Sequence, residues 1–248
     1  MKKLGKGYLL AKILLLLPVL SLANFAGITV STDYDDGGRA GEDYLNMLIS
    51  ALNENGCNTV LSSTTGQAQL VFDSRPVTIA KKDRSDYQLI ARAKTLMGKL
   101  TVRGAFLVHA STGIESLATL KGERIGFVNK KSWSGYILPI KTLKDAGITE
   151  QRNTFFIAGN HIGAVSYLLH SNMFATVTAE PLARRWAEAN DLSIVALTDE
   201  VETGGWWIHR TVSKDKVKSC KLALSKLERA QLKAMPAWIE SFETNWKN

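Results

Sequence analysis

RIGFVNKKSWSGYILPIKTLKDAG, residues 124–147, decides the fold because it joins a buried strand to an amphipathic helix through a serine-containing turn. The apolar run 124–128 is typical of a strand buried on both faces. Residues 134–147 place apolar side chains at helical spacing and end at Gly147, a residue that favours a helix C-terminus. A strand followed directly by a helix, when the pattern repeats, predicts an α/β domain with a mainly parallel sheet.

The pattern repeats on both sides of this stretch. Toward the C-terminus the sequence predicts strands at 154–157, 174–178 and 193–197 and helices at 161–170 and 180–190. Toward the N-terminus it predicts a strand at 27–31, a polar loop at 33–41, a helix at 42–55 and a strand at 59–62. Two α/β units are therefore expected in one chain.

The connections between these units predict a two-lobed α/β molecule, each lobe a sheet flanked by helices. The run 100–109 is long and apolar enough for one strand that leaves the first lobe, and residues 206–209 bring the chain back. We assign residues 24–103 and 206–248 to lobe one and 104–205 to lobe two, with hinge strands near 102–108 and 197–207. Two lobes on a hinge favour a cleft that closes on a ligand. The tail 214–246 is predicted to be helical, with a break near Pro236.

Residues 1–23 have the pattern of a secretory signal peptide. Lysines precede an apolar run, no acidic residue occurs, and Ser21 and Ala23 are small residues at the positions that the peptidase reads. A membrane anchor is the alternative, but the apolar run is much shorter than the roughly 20 residues that span a bilayer. A soluble, periplasmic product is expected.

Charge and cysteine usage restrict the classes of ligand. The formal charge of +8 falls to +4 once the four leader lysines are set aside, and no dense basic run with interleaved aromatics points to nucleic acid. A mild positive charge suits the attraction of an anionic solute. Cys57 and Cys220 are compatible with a disulfide or with two free thiols. The four histidines and two cysteines have no metal-ligand spacing, and no cofactor is predicted.

Two turns that connect a strand to a helix contain candidate ligand-binding residues. Ser132 and Ser134 stand at the start of the helix after strand 124–128, where free N–H groups and the helix dipole favour an anion. Simple N-capping by serine is the alternative. His161 stands at the first turn of helix 161–170 and is a candidate donor to the same anion, the alternative being a solvated histidine that caps the helix.

Lobe one offers fewer candidates. Tyr34 or Asp33, in the glycine-rich loop after the first strand, lies where the carboxyl ends of parallel strands bind ligands, although an ordinary loop explains it equally. Trp133, Trp206 and Trp207 are candidates for lining the cleft, with core packing as the alternative.

The run STGIESLATLKGERIGFVNKKSWSGYILP, residues 111–139, resembles the periplasmic solute-binding proteins of phosphonate- and phosphate-type ABC importers. That family has a DSGI-x-SL-x-DLKGK-R-x-F segment, then a Ser-Thr-Ser-Gly loop and Tyr-x-x-Pro. AGNHIGAV, residues 158–165, resembles its Gly-His-x-x-Ala element, with His161 at the histidine. The resemblance covers roughly residues 102–210.

This resemblance implies a type II periplasmic-binding fold and a cleft ligand held by Ser132, Trp133, Ser134, Gly135, His161 and lobe-one tyrosines. Three departures stand out. Trp133 replaces the middle threonine of the loop, Asn160 is inserted before the histidine, and only Glu180 approximates the acidic residue that holds an amino group. An aminoalkyl phosphonate is therefore disfavoured, and phosphate, phosphite or another oxyanion is expected.

These observations predict a monomeric, non-enzymatic binding protein that delivers a small anionic solute to an ABC-transporter membrane permease. A sensory module for a membrane histidine kinase is the nearest alternative. A hydrolase would need Ser132 or Ser134 activated by His161 and an acid, and neither a G-x-S-x-G elbow nor a nearby acid is evident. In a third alternative Trp133 fills the cleft and the fold binds a protein instead.

Overall fold

The computed structural model describes residues 27–32, 39–62, 68–170 and 173–246, and most of its strands belong to two sheets. The predicted leader lies outside these residues. In spatial order, the first sheet contains β13 (Ile239–Glu243), β4 (Tyr87–Thr95), β12 (Gly205–His209), β3 (Leu70–Asp73), β1 (Ile28–Thr32) and β2 (Thr59–Leu61). Strand β1 runs parallel to β2 and β3, whereas β12 runs antiparallel to both of its neighbours.

The second sheet has the same plan on a smaller scale. In spatial order it contains β10 (Leu192–Leu197), β6 (Gly104–His109), β9 (Ala175–Ala179), β7 (Arg124–Phe127) and β8 (Thr154–Ile157). Strand β7 is parallel to β8 and β9, and β6 is antiparallel to β9 and β10. In the second sheet one strand, β6, therefore runs against the others, whereas in the first sheet both β12 and the edge strand β13 do so.

Helices and apolar cores cover these sheets. The helices are α1 (Arg39–Glu54), α2 (Val77–Ala80), α3 (Leu138–Asp145), α4 (His161–His170), α5 (Glu180–Ala189) and α6 (Lys214–Ser225). Strand β6 illustrates how the second sheet is buried on both faces. Phe106 and Val108 pack into the core on one face, and Ala105 and Leu107 into the core on the other, as the two-residue period of a strand requires.

The two crossings between the sheets lie side by side. The chain leaves the first sheet through β5 (Thr101–Val102) and returns through β11 (Val201–Glu202), and these strands pair with each other in antiparallel fashion. This is the arrangement expected of two adjacent hinge strands. The lobe boundaries given above, 24–103 with 206–248 and 104–205, stay a prediction.

A disulfide bond joins Cys57 to Cys220, which resolves the alternative left open by the sequence. Cys57 follows α1, and Cys220 lies within α6. Both sulfur-bearing residues are buried in the core of the first sheet. The bond therefore links the N-terminal and C-terminal parts of the first lobe across 163 positions of sequence.

The prediction of a helical tail is wrong after Pro236, where the chain forms a strand. After α6 a short 3₁₀ helix, Arg229–Ala234, leads to Pro236, and the chain then forms β13 along the edge of β4. Ile239 and Phe242 of this strand are buried in the core, whereas Glu240 is exposed. The free edge of β4 supplies backbone partners for this segment, and such tertiary pairing overrides a local helical preference.

Three further predictions need correction. The expected single strand 100–109 is interrupted at Arg103, because the chain changes sheets there. The expected loop 33–41 is helical from Arg39 onward, and residues 33–38 lie outside the described part of the chain. The predicted helix 134–147 begins instead with a π-helical turn, Trp133–Ile137, before α3.

Candidate functional site

A cleft of about 990 Å³ lies at the carboxyl ends of parallel strands from both sheets. Thr32 and Asp73, the last residues of β1 and β3, line it from the first sheet, and Asn129 and Gly159 line it just after β7 and β8. Open α/β sheets bind ligands at this edge. Of the residues predicted for the site, the cleft lining includes Ser132, Trp133, Ser134 and His161.

The serine loop is organised by Ser132. Its Oγ accepts a hydrogen bond of 3.0 Å from the backbone N–H of Gly135, so Ser132 caps the π-helical turn as the capping alternative predicted. A hydroxyl group that accepts one bond still has its own O–H to donate. The described residues provide no acceptor for the N–H groups of Trp133 and Ser134 at the start of this turn. The loop that lines the cleft therefore contains hydroxyl and amide donors that are not used within the described residues.

Glycine is required at two points where this loop packs against the second sheet. A Cβ atom on Gly135 would collide with the side chain of Val128 and with Ser132 Oγ, and one on Gly104 would collide with the carbonyl oxygen of Ser134. Gly135 is buried and does not line the cleft. Gly135 contributes to the site indirectly, because it allows close packing and its N–H group donates the hydrogen bond that holds Ser132.

His161 is buried and held through its Nδ1 atom. Nδ1 lies 3.2 Å from the backbone N–H of Ala179 and 3.0 Å from Thr178 Oγ1, and the residue is only 3% exposed. A backbone N–H can only donate, so Nδ1 is the acceptor and the neutral ring has its proton on Nε2. Burial also lowers the pKa of His161 to about 3. At neutral pH the ring thus offers an uncharged Nε2–H donor.

Asn160, the residue inserted relative to the family motif, has a clear structural role. Its Oδ1 accepts a 2.7 Å hydrogen bond from the N–H of Gly163, which caps the start of α4. The alternative in which His161 is a solvated helix cap is therefore wrong. The insertion places the cap one position before His161, and the imidazole is turned into the protein.

The remaining predicted residues lie in different places. Trp133 is half-buried and lines the open cleft without filling it, which disfavours the alternative of a blocked site. Trp206 and Trp207 are core residues. Tyr34 and Asp33 lie outside the described residues.

Glu180 is 3% exposed and is not among the residues that line the cleft. Its carboxylate accepts hydrogen bonds of 2.6 Å from Arg103 and 2.7 Å from Arg184. Burial raises the pKa of Glu180, but the two guanidinium groups outweigh burial and hold the pKa below its ordinary value. This carboxylate is fully engaged with cations of the protein itself.

The first sheet contributes a cluster that the sequence analysis did not identify. Asp73, Arg75 and Arg84 line the cleft together, with Lys130 and Lys131 on the other side of the site. Residues 81–84 had the pattern of a charged turn, and residues 70–86 lacked a clear period. The useful signal was Asp73 itself, an acidic residue at the end of an apolar strand, because a buried carboxylate requires cationic partners.

The described residues show no catalytic or metal-binding constellation. No carboxylate among them hydrogen-bonds to His161, whose Nδ1 partners are Thr178 and Ala179. No group of histidine, cysteine and acidic side chains in these ranges is placed to hold a metal ion. Among the helices of the described ranges, none combines the length and the hydrophobicity needed to cross a bilayer.

Solved structures of similar fold include several periplasmic binding proteins. PhnD1 of Prochlorococcus marinus, solved with methylphosphonate, has a TM-score of 0.65 at 14% identity over 88% of this chain and 92% of that chain. A binding-protein component of an ABC phosphonate transporter from Pseudomonas aeruginosa has a TM-score of 0.61 at 10% identity, covering 88% and 81%. A Xanthomonas citri protein bound to ATP has a TM-score of 0.55 at 14% identity, covering 87% and 90%.

These neighbours establish the two-lobed fold, and the family model establishes kinship. No curated protein sequence matches the chain significantly. The model of the ABC-transporter phosphonate periplasmic substrate-binding protein matches residues 60–245, three quarters of the sequence, and this range contains both the serine loop and His161. The chain belongs to the phosphonate-type family of periplasmic substrate-binding proteins of ABC transporters.

Proposed function

We propose that this protein captures a small oxyanion of the phosphate, phosphite or phosphonate type in its interlobe cleft, for uptake by an ABC importer. The family is one of substrate-binding proteins, whose members bind a small solute and deliver it to a membrane permease. PhnD1, a structural neighbour, was solved with methylphosphonate, which makes that anion a suitable first probe.

The observation that carries the proposal is the set of hydrogen-bond donors on the lobe-two wall. Ser132, Trp133 and Ser134, which carry these hydroxyl and N–H donors, line the same cleft as the neutral ring of His161. An oxyanion accepts hydrogen bonds from such donors, and the start of a helical turn adds a favourable dipole. Because His161 is uncharged, it contributes to anion binding as an oriented hydrogen-bond donor and not as a cation.

Trp133 and Glu180 help to define the ligand. The indole of Trp133 replaces a hydroxyl donor with apolar surface, which suits a small apolar substituent on the anion. We propose that Glu180 has a structural role, because Arg103 and Arg184 occupy its carboxylate. No ammonium-binding carboxylate is then assigned, and a zwitterionic aminoalkyl phosphonate is disfavoured. Tyr34 remains a candidate for closing the cleft from lobe one.

Thermal unfolding of residues 24–248 with phosphate, phosphite, methylphosphonate and sulfate tests the proposal. A ligand at a hundred times its dissociation constant adds about 2.7 kcal/mol to stability. For a protein of this size, that gain raises the melting temperature by roughly 5–10 °C. We expect this rise with at least one of the phosphorus oxyanions.

Two variants connect the shift to the site. Ser132→Ala removes a donor, and His161→Asn retains an acceptor for the Ala179 N–H but ends short of the cleft; both should abolish most of the shift. Ser116→Ala, at an exposed serine outside the cleft, is the matched control and should keep it. If no anion stabilises the wild-type protein, or if both cleft variants respond like the control, the proposal is wrong. Turnover of an ester by the wild-type protein would instead favour the hydrolase alternative.

The remaining expectations about partners rest on the family alone. We propose a permease as the membrane partner and a monomeric state in solution. The sensor-kinase alternative requires the same ligand-induced closure, and a pull-down of solubilised permease or kinase with and without ligand distinguishes the two.

A further inference from the structure

The cluster on the lobe-one wall is built around a buried carboxylate. Asp73 is 1% exposed, and its oxygens accept hydrogen bonds from Arg75 Nε at 3.0 Å, Arg75 Nη2 at 2.8 Å and Arg84 Nε at 2.9 Å. Burial raises the pKa of Asp73, but the hydrogen bonds and charges of the two arginines outweigh burial and lower it. Asp73 is therefore a fixed anion that orients both guanidinium groups.

The two arginines are not equivalent. Arg75 uses Nε and Nη2 on Asp73 and Nη1 on Asp83, so its planar fork is fully engaged within the protein. Arg84 uses only Nε on Asp73, and the rest of its guanidinium lies 5.4 Å from the ring centre of Tyr87. Its two terminal nitrogens have no acceptor among the described residues. Arg84 lines the cleft with 18% of its side chain exposed.

The other charged residues in the described lining of the cleft favour the binding of an anion. Of its two acidic residues, Asp73 is neutralised by the arginines. Glu202 accepts from the N–H of Thr78 and lies 3.8 Å from Arg92. Lys130 and Lys131 line the lobe-two side, and no ion pair engages them within the described ranges. Lys130 and Lys131 thus add positive charge that is unpaired within the described ranges to the uncharged donors at Ser132 and His161.

We infer that Arg84 binds a second anionic group of the ligand, so the solute carries two: an oxyanion at the serine loop and His161, and a carboxylate, sulfonate or phosphoryl group at Arg84. This inference rests on the proposed function and narrows its ligand class. The Arg84 guanidinium has a fixed Nε and terminal nitrogens with no acceptor among the described residues, so it is pre-organised for a planar or tetrahedral oxyanion.

Affinities of methylphosphonate and phosphonoacetate, which differ by one carboxylate, test the inference by calorimetry. The wild-type protein should bind phosphonoacetate about ten- to a hundredfold more tightly, the range expected for a charge-assisted hydrogen-bonded contact. Arg84→Gln should remove this advantage while its affinity for methylphosphonate stays within roughly threefold of wild type. Arg84→Lys keeps the positive charge but loses the planar, forked guanidinium, so this variant should retain part of the preference for phosphonoacetate.

Lys82→Gln is the control, because it removes one positive charge two residues away, at an exposed side chain outside the cleft lining. It should bind both ligands like wild type. Equal affinity of the wild-type protein for the two ligands, or an equal loss of both in Arg84→Gln with an unchanged melting temperature, would overturn the inference and leave the oxyanion site standing. Failure of both ligands to bind wild type would overturn the proposed function as well.

Discussion

Acidification should destabilise this protein through His161 before the buried carboxylates of Asp73 and Glu180 are protonated. The ring is buried, its Nδ1 accepts the N–H of Ala179, and burial lowers its pKa to about 3 from an ordinary value of 6.5. In the unfolded chain the same imidazole takes up a proton near its ordinary pKa. Between these two pKa values the unfolded state binds more protons, so the free energy of unfolding falls as the pH falls.

The size of the effect follows from the two pKa values. The contribution of His161 is fully present above pH 6.5 and is lost progressively as the pH falls toward 3. Between pH 7.5 and pH 5.0 the loss is about 2 kcal/mol, since each unit of pKa difference corresponds to about 1.4 kcal/mol. The corresponding decrease in melting temperature is roughly 4–8 °C.

The pH window separates this effect from the buried carboxylates. Despite burial, arginine partners keep the pKa of Asp73 and of Glu180 below the ordinary values, so both stay ionised in the folded protein at pH 5.0. Their contributions to stability are lost only when the pH falls below the ordinary carboxyl range of about 4.

Calorimetric melting of residues 24–248 at pH 7.5 and pH 5.0, without ligand, measures the effect, and His161→Asn is the matched variant. Asparagine supplies an oxygen near the position of Nδ1 and has no proton to gain, so most of the 4–8 °C difference should disappear. If the variant folds and keeps the whole wild-type pH dependence, the assignment of a buried, neutral His161 is wrong.

Two further outcomes are expected. Glu180→Gln should lower the free energy of unfolding by about 1–3 kcal/mol, because Arg103 and Arg184 lose a charged partner. The affinity for methylphosphonate should stay within roughly threefold of wild type. A large loss of affinity at unchanged stability would instead make Glu180 a ligand-binding residue. Replacing Cys57 and Cys220 together by alanine should lower the free energy of unfolding by up to about 5 kcal/mol, because the unfolded chain regains loop-closure entropy. The variant should unfold at a lower urea concentration than the oxidised wild-type protein and at the same concentration as the reduced wild-type protein. Equal urea midpoints of variant and wild type under oxidising conditions would contradict this prediction.

The local hydrophobic pattern of the sequence was sufficient to predict most helices and strands of the second lobe. The strand at 154–157 and the helix at 161–170 have the predicted bounds, and strand 124–128 is one residue shorter. In these segments an apolar run coincides with a turn signal, and strands 124–127 and 154–157 pair with each other. The tail after Pro236 had no such support, since β13 depends on the edge of β4, a partner about 150 residues away.

The site divides in the same way. Ser132, Ser134 and His161 could be predicted from sequence because each stands at a junction between a strand and a helix, where backbone N–H groups and side chains share one edge of the sheet. The tautomer of His161 could not be predicted from sequence, because it is set by the Ala179 N–H on a neighbouring strand. The role of Asn160 as the helix cap also required the structure.

The sequence by itself determined the two α/β units and the donors on the lobe-two wall, because these depend mainly on residues close to one another along the chain. Only the tertiary structure decided the Cys57–Cys220 bond, the engagement of Glu180 by arginines and the cluster of Asp73, Arg75 and Arg84 that faces the cleft. The physical reason is that disulfide pairing, ion pairing and the burial of charge depend on which side chains are close in space. The local periodicity of a sequence does not report these contacts.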